Sequence, residues 1–159
     1  MLLLRACREE DGSAFWFPPG RGIEEGEDVR AAAFREVAEE TGLAEFELGP
    51  EVWWRRHVFE WRGERWDQRE RWFLARVDHF EPVSGGRSTA EQADIKEARW
   101  WTLDELDGTA DDLVPDDLAE QLRRLLDDGP PPTPTEVGGL RGSGYRSSRS
   151  TRWRMPPCL

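Results

Sequence analysis

The segment Val29 to Thr41, thirteen residues of good helix formers set between Asp28 and Gly42, constrains this chain more than any other. Asp28 can accept hydrogen bonds from the first free amides of a helix, and Gly42 can adopt the left-handed conformation just past its last turn. At about 100° per residue, Glu36, Glu39 and Glu40 fall within an arc of roughly 100°. The opposite arc holds Ala31, Phe34, Val37, Ala38 and Thr41. The helix is therefore expected to bury that side and to present three carboxylates on the other, with the small Ala32 and Ala33 leaving room for a ligand. On an arbitrary helix such a row is a solvated face. Here the preceding segment, Pro19-Gly20-Arg21-Gly22-Ile23-Glu24-Glu25-Gly26-Glu27, is a glycine-rich loop whose backbone can approach phosphates and offer a carbonyl to a metal.

The formal net charge of -11 argues against stable nucleic-acid binding, which rests on clustered Lys and Arg. A phosphate-bearing substrate would need a cation as mediator, and a divalent metal held by carboxylates supplies one. Hydrophobic residues are only 37% of the 159, but nine Trp and seven Phe give each buried position a large apolar area, enough for one domain with one core. Cys7 and Cys158 have neither metal-ligand nor disulfide spacing and suit a reducing compartment. Met1 to Arg5 has the features of neither a signal peptide nor a membrane span, so a cytoplasmic protein without a membrane partner is expected.

Leu2 to Ala6 and Ala14 to Phe17 read as strands, the second ended by Pro18-Pro19-Gly20. Glu51 to Trp61 and Arg65 to Val77, rich in aromatic and β-branched residues, flank Arg62-Gly63-Glu64 and read as a hairpin. Its second strand places Trp66, Gln68, Glu70, Trp72 and Leu74 on one face, a candidate base-stacking surface carrying polar groups. Strands this aromatic more often serve the core. A loop from Pro82 to Asp94, a strand from Ala98 to Thr102, a helical turn at Leu103 to Leu106 and an amphipathic helix from Pro115 to Leu126 follow, the last with Leu118, Leu122, Leu125 and Leu126 on one side. Residues 130–159, with one acid, five arginines and a Pro, Gly and Ser bias, are expected to be a disordered tail beyond a domain spanning 1–129.

The loop and helix resemble the Nudix box, G-x5-E-x7-R-E-U-x-E-E-x-G-U with U apolar. Eight of the nine defined positions match: Glu27, Arg35, Glu36, Val37, Glu39, Glu40, Gly42 and Leu43. Arg21 stands where the pattern begins with Gly. A weaker likeness extends to Leu2-Leu3-Leu4-Arg5, to Trp16-Phe17 and to the segment Trp100 to Leu106, so it covers about residues 2–126.

The resemblance implies an α/β/α sandwich around a mixed sheet and hydrolysis of a diphosphate (pyrophosphate) linkage in a small nucleotide-like substrate. Mg²⁺, with Mn²⁺ as an alternative, would be held by Glu36, Glu39, Glu40 and the Gly20 carbonyl. Glu27 and Arg35 would pair to hold loop against helix. Glu70, Glu91 and Glu97 are candidates for a general base, Arg21 for a phosphate contact, and Trp66 and Trp72 for the substrate's base; for each, an ordinary surface or core role is the simpler reading. His57 and His79 lack catalytic spacing. Family members usually carry a further strand before the segment resembling Leu2 to Arg5. Its absence here would expose a sheet edge, lowering stability or favouring a homodimer. The rival to catalysis is a nucleotide sensor or interaction module on the same fold.

Overall fold

In the computed structural model the described residues are 1–7, 12–20, 22–61, 64–83 and 95–138, with backbone alone at 59–61 and 64–66. The elements run β1 (Leu2–Cys7), β2 (Ala14–Phe17), α1 (Val29–Thr41), β3 (Leu48–Trp61), β4 (Glu64–Ala75), β5 (Ile95–Trp100), α2 (Leu103–Gly108), β6 (Asp112–Leu113), α3 (Leu118–Asp128) and β7 (Thr135–Glu136). The expected mixed α/β architecture is divided between two sheets, ordered β5-β1-β2-β6 and β4-β3-β7. β2 with β6 and β3 with β7 are parallel; the other pairs are antiparallel. β1 is flanked by β2 and β5, so it is an interior strand.

Strand alternation sorts the first sheet's side chains onto two faces. Leu3 and Trp16 point into a cluster with Val52 and Trp53 of β3, Leu106 of α2, and Leu118 and Leu125 of α3. Leu4, Ala6, Phe15, Phe17 and Ile95 form a second cluster on the opposite face. Trp16 meets Trp101 edge to face at 4.9 Å between centroids, and its indole N–H donates to Asp111 at 2.8 Å. β2 is thereby fixed just before the chain turns into the glycine-rich loop. Thr102 and Glu105 form a capping box that starts α2. Leu126, expected on the apolar side of the last helix, is 58% exposed. It lies about 80° round from Leu118, beyond the arc that reaches the core. Among the described residues no helix is long and apolar enough to cross a membrane.

Several element ends lie up to three residues from the sequence reading, as in the strand expected at Ala98–Thr102, which runs Ile95–Trp100 and leaves Thr102 to cap α2; two segments depart further. Pairing in the hairpin begins at Trp61 with Glu64, so Glu64 belongs to the strand rather than the turn; Arg62 and Gly63 lie outside the described residues, as do 84–94 of the expected loop. Residues 130–138 are not a tail. They cross the molecule as a strap whose strand β7 sets Thr135 beside Trp53 and Glu136 beside Trp54. The Val137 amide donates to the Trp54 carbonyl at 3.0 Å, and its side chain, 1% exposed, completes the main core. The Gly138 amide donates to the buried Asp117 at 2.9 Å, and the other oxygen of that carboxylate accepts from Gln121 at 3.0 Å. Average composition conceals this, because one apolar side chain on a strand that completes a sheet edge is enough to order a short segment.

Ending the chain after Gly129 removes Val137 from the core and strips Asp117 of its amide donor, together on the order of 3 kcal/mol. The melting midpoint is expected to fall by roughly 5–10 °C relative to a chain ended after Gly138. Equal midpoints in the two truncated chains would show that the strap contributes nothing.

Candidate active site

Helix α1 begins where the sequence predicts. Asp28 accepts from the Arg30 amide at 2.9 Å and the Ala31 amide at 3.3 Å. Gly42 closes the helix at φ 77°, its amide bonded to the Ala38 carbonyl at 2.9 Å. A side chain there would be strained and would also meet the Val83 methyl at 2.6 Å, so glycine is required twice over.

The helix is rotated from the expected orientation: of the expected core face Thr41 is fully buried, Val37 and Ala38 are half-buried, and Ala31 and Phe34 are exposed. Phe34, placed on the core face by the sequence pattern, is 38% exposed and leans on Phe46, with ring centroids 4.8 Å apart. The inward line is Ala32, Glu36 and Glu40, one turn apart from each other; Glu40 is 4% exposed and the Glu36 side chain 12%. What α1 packs against along this line is the polar glycine-rich loop, and no α1 residue joins either apolar cluster. The Gly20 amide donates to Glu40 at 2.7 Å, and the Gly22 amide donates to Glu36 at 3.2 Å. Gly20 sits at φ 120°, a conformation open to glycine, which lets the loop double back onto the helix.

Arg35 holds the arrangement together. Its Nε and one Nη2 hydrogen reach the two oxygens of Glu27 at 3.0 and 2.9 Å, the fork-to-fork geometry in which arginine binds a carboxylate most strongly. Nη2 also donates to the Gly22 carbonyl at 3.0 Å, and Nη1 donates to Glu36 at 2.9 Å and Glu39 at 3.2 Å. Five N–H donors make five bonds, so the guanidinium joins loop, turn and helix with none left over. Hydrogen bonding to Arg35 first, and to the Glu24 amide second, holds the Glu27 carboxyl below its usual range. The bonds to Glu27 likewise push the guanidinium further above its ordinary value, so Arg35 stays charged at any pH the fold survives.

Glu36 and Glu40 are therefore brought together at the loop, while Glu39, its side chain 41% exposed, turns to Arg35. Among the described residues no three His, Cys, Asp or Glu side chains converge as a metal-binding group. The side chains that meet the loop are nonetheless both carboxylates, oxygen donors of the kind a hard divalent cation selects. Arg30 secures this unit to the second sheet, donating to the Leu48 carbonyl at 2.5 Å and the Gly49 carbonyl at 3.2 Å.

An open cleft runs from Gly20, Gly22 and Val37 to the hairpin residues Arg55, Gln68 and Glu70. Glu70 lies 3.4 Å from Arg55 Nε and accepts from the Trp72 indole at 3.3 Å. Trp72 packs on Trp53 at 5.8 Å and on the main core, so its ring is already largely covered. Glu97 is exposed on β5 opposite Arg5 and does not line the cleft. Arg21, Glu91 and the side chain of Trp66 lie outside the described residues. Sequence reasoning missed Arg30 and Arg55. The signal for Arg55 was present, an arginine two residues beyond Trp53 and so on the inward face of the same strand.

This chain belongs to the Nudix family: the family model described as NUDIX domain matches residues 1–128. It is 34% identical over 96 residues to Nudix hydrolase 25 of Arabidopsis thaliana, covering 54% of this chain and 55% of that one. It is 31% identical over 108 residues to an RNA pyrophosphohydrolase of Wolbachia pipientis subsp. Culex pipiens, covering 63% and 66%. The chain thus spans less than two thirds of the length of these curated relatives. A crystal structure of a C. elegans Ap4A hydrolase binary complex aligns at TM-score 0.47 and 20% identity, over 79% of this chain and 83% of that one.

Two outcomes follow from the geometry. Arg35→Lys keeps the charge but loses the fork that engages Glu27, and the melting midpoint is expected to fall by several degrees, since a loss of about 2 kcal/mol attends removal of such paired bonds. A midpoint unchanged within a degree would mean that the five bonds add nothing to stability. His57, half-buried beside Arg55, has its pKa lowered, by burial first and by the Arg55 charge second. Its folded value lies below its unfolded value, so its contribution to stability is complete above about pH 6.5 and is lost as pH falls through the folded value. The drop in midpoint between pH 7.5 and pH 5.5 should be smaller in His57→Gln than in the parent.

Proposed function

We propose that the chain hydrolyses a diphosphate linkage in a nucleoside-diphosphate-X type substrate, with a divalent cation, Mg²⁺ or Mn²⁺, at the glycine-rich loop. The observation that carries this reading is the pairing of two helix carboxylates, the buried Glu40 and the half-buried Glu36, with the amides of Gly20 and Gly22 under the Arg35 clamp. An acid that is 4% exposed on a helix needs a reason to be there, and holding a loop and a cation together is one. Glu36, Glu40 and Glu39, with the Gly20 carbonyl, are the residues proposed to hold the cation. Bound there, it would neutralise charge on the phosphate chain and make water a better nucleophile.

The remaining work falls to the chain's own groups. Attack of water at phosphorus breaks the anhydride P–O bond and leaves two phosphate products, so one proton must be taken from the water. A box glutamate is proposed as the base, with Glu70 as the alternative, since Glu97 stands outside the cleft and Glu91 lies outside the described residues. Arg35 and Glu27 act by fixing the loop. Among substrates, relatives named RNA pyrophosphohydrolase favour a pyrophosphate linkage carried by an RNA over a free nucleotide sugar.

Glu40→Gln removes a charge while keeping size and an acceptor for the Gly20 amide, so folding is expected to survive and turnover to fall by a factor on the order of 100 or more. Glu47→Gln, an exposed acid outside the box, is the control, and Arg21→Gly should match or exceed the parent unless Arg21 touches substrate. Hydrolysis is read on a panel of nucleoside triphosphates, dinucleoside polyphosphates, nucleotide sugars and 5′-triphosphorylated RNA with saturating Mg²⁺. If Glu40→Gln turns over as fast as the parent, the cation is not held where proposed. If the parent binds nucleotides and hydrolyses none of the panel, the chain is a sensor on the Nudix fold.

A further inference from the structure

The cleft's hairpin wall contains a network that is only half satisfied. Cross-strand pairing sets Trp53 opposite Trp72, Arg55 opposite Glu70 and His57 opposite Gln68, so the inward face grades from aromatic near the core to polar at the open end. Arg55 is the cation of this wall, its side chain 13% exposed. Its Nε is buried and makes no hydrogen bond; Glu70 lies at 3.4 Å, close enough for charge attraction and too poorly aligned for a bond. One Nη2 contact, to His57 Nδ1, is also at 3.4 Å. A buried guanidinium nitrogen without a bond is costly, and calls for a partner that the cleft's own described residues do not supply.

The stem of Arg55 is positioned independently of that set. The strap crosses it at Gly138, where an added Cβ would come within 3.0 Å of Arg55 Cδ and 3.2 Å of Pro115. Gly138 is itself tied to Asp117 by its amide. The strap therefore lies on the aliphatic part of Arg55, and Arg55 borders the same broad, open groove as Gly20 and Gly22, with Arg56, Arg69 and Arg71 bordering it from the outer face of the hairpin.

We propose that Arg55 is a phosphate-binding residue of the cleft, exchanging its loose contact with Glu70 for a non-bridging oxygen of the substrate's phosphate chain. The inference rests on the diphosphate reading for its biological ligand, though not for its test. An aromatic stacking role for this wall is disfavoured, because Trp53 is 4% exposed and Trp72 packs against it. What the wall leaves for a ligand is a guanidinium whose buried Nε has no bond and whose charge, among the described residues, only Glu70 matches, at 3.4 Å; the complement of a cation is an anion. Glu70 tunes the site: it neutralises Arg55 while the cleft is empty and competes with the incoming phosphate.

The experiment titrates inorganic pyrophosphate into the full chain in excess EDTA, so that no divalent cation contributes, and reads binding by calorimetry at low salt. Arg55→Lys keeps the stem and charge but loses the fork, and its affinity should fall about tenfold. Glu70→Gln should move the other way, binding pyrophosphate several-fold more tightly, because the competing charge is gone. Glu51→Gln, which removes the same charge from the same strand pair, is the control, and its gain should be smaller. Unchanged or weaker binding in Glu70→Gln overturns the proposal, as does parent-like binding in Arg55→Lys; if Arg55→Lys fails to fold, Glu70→Gln decides alone. A chain that hydrolyses the substrate panel yet fails this titration loses Arg55 and keeps its proposed function. One that passes the titration and hydrolyses nothing keeps Arg55 and loses catalysis.

Discussion

The structure around the candidate site depends on one guanidinium. Arg35 lies on the helix, but its bonds go to a turn acid, a loop carbonyl and two helix acids, so three segments that would otherwise repel or drift are held as a unit. Without that charge, Glu27, Glu36 and Glu39 would be three anions in close company with no cation among the described side chains between them. The planar fork matters as much as the charge, since a lysine could not reach two carboxylate oxygens and a carbonyl from one position. The local cost of placing Glu40 and Glu36 out of water is offset the same way, by backbone amides that glycine lets approach closely.

The box nonetheless stands outside the apolar cores. α1 contributes to neither apolar cluster, and the main core is made where the two sheets, α2, α3 and the strap meet. A division of labour follows from this: the Trp-rich core supplies the stability, while the box sits at its margin on hydrogen bonds and charge. Arg30 is the joint between the two, bonded to the carbonyls of Leu48 and Gly49 at the start of β3. The hairpin that begins there carries Arg55 and Glu70 back to the cleft. The position of the cleft is thus set by sheet register as well as by the motif.

The start and end of α1, its caps, the glycine-rich loop and the identity of the family were legible in the sequence, because helix capping, positive φ at glycine and motif spacing are local properties. β1, β2, the hairpin and the last helix were legible for the same reason, through periodicity and turn residues. The direction in which α1 faces was not. The sequence pattern places Phe34 inward and Glu40 outward, but what lay opposite decided otherwise: a polar loop took the carboxylates of Glu36 and Glu40, and of the apolar side Thr41 alone became fully buried. The strap was hidden in a segment whose composition reads as disordered, and its order comes from a vacant sheet edge beside Trp53 and Trp54 and a core position for Val137, both formed by residues about 80 positions earlier in the chain. Arg55 looked like any strand arginine. What distinguishes it is burial under Gly138 and the distance to Glu70, quantities that exist only once strand register and the path of the strap are fixed, and no local pattern in the sequence encodes them.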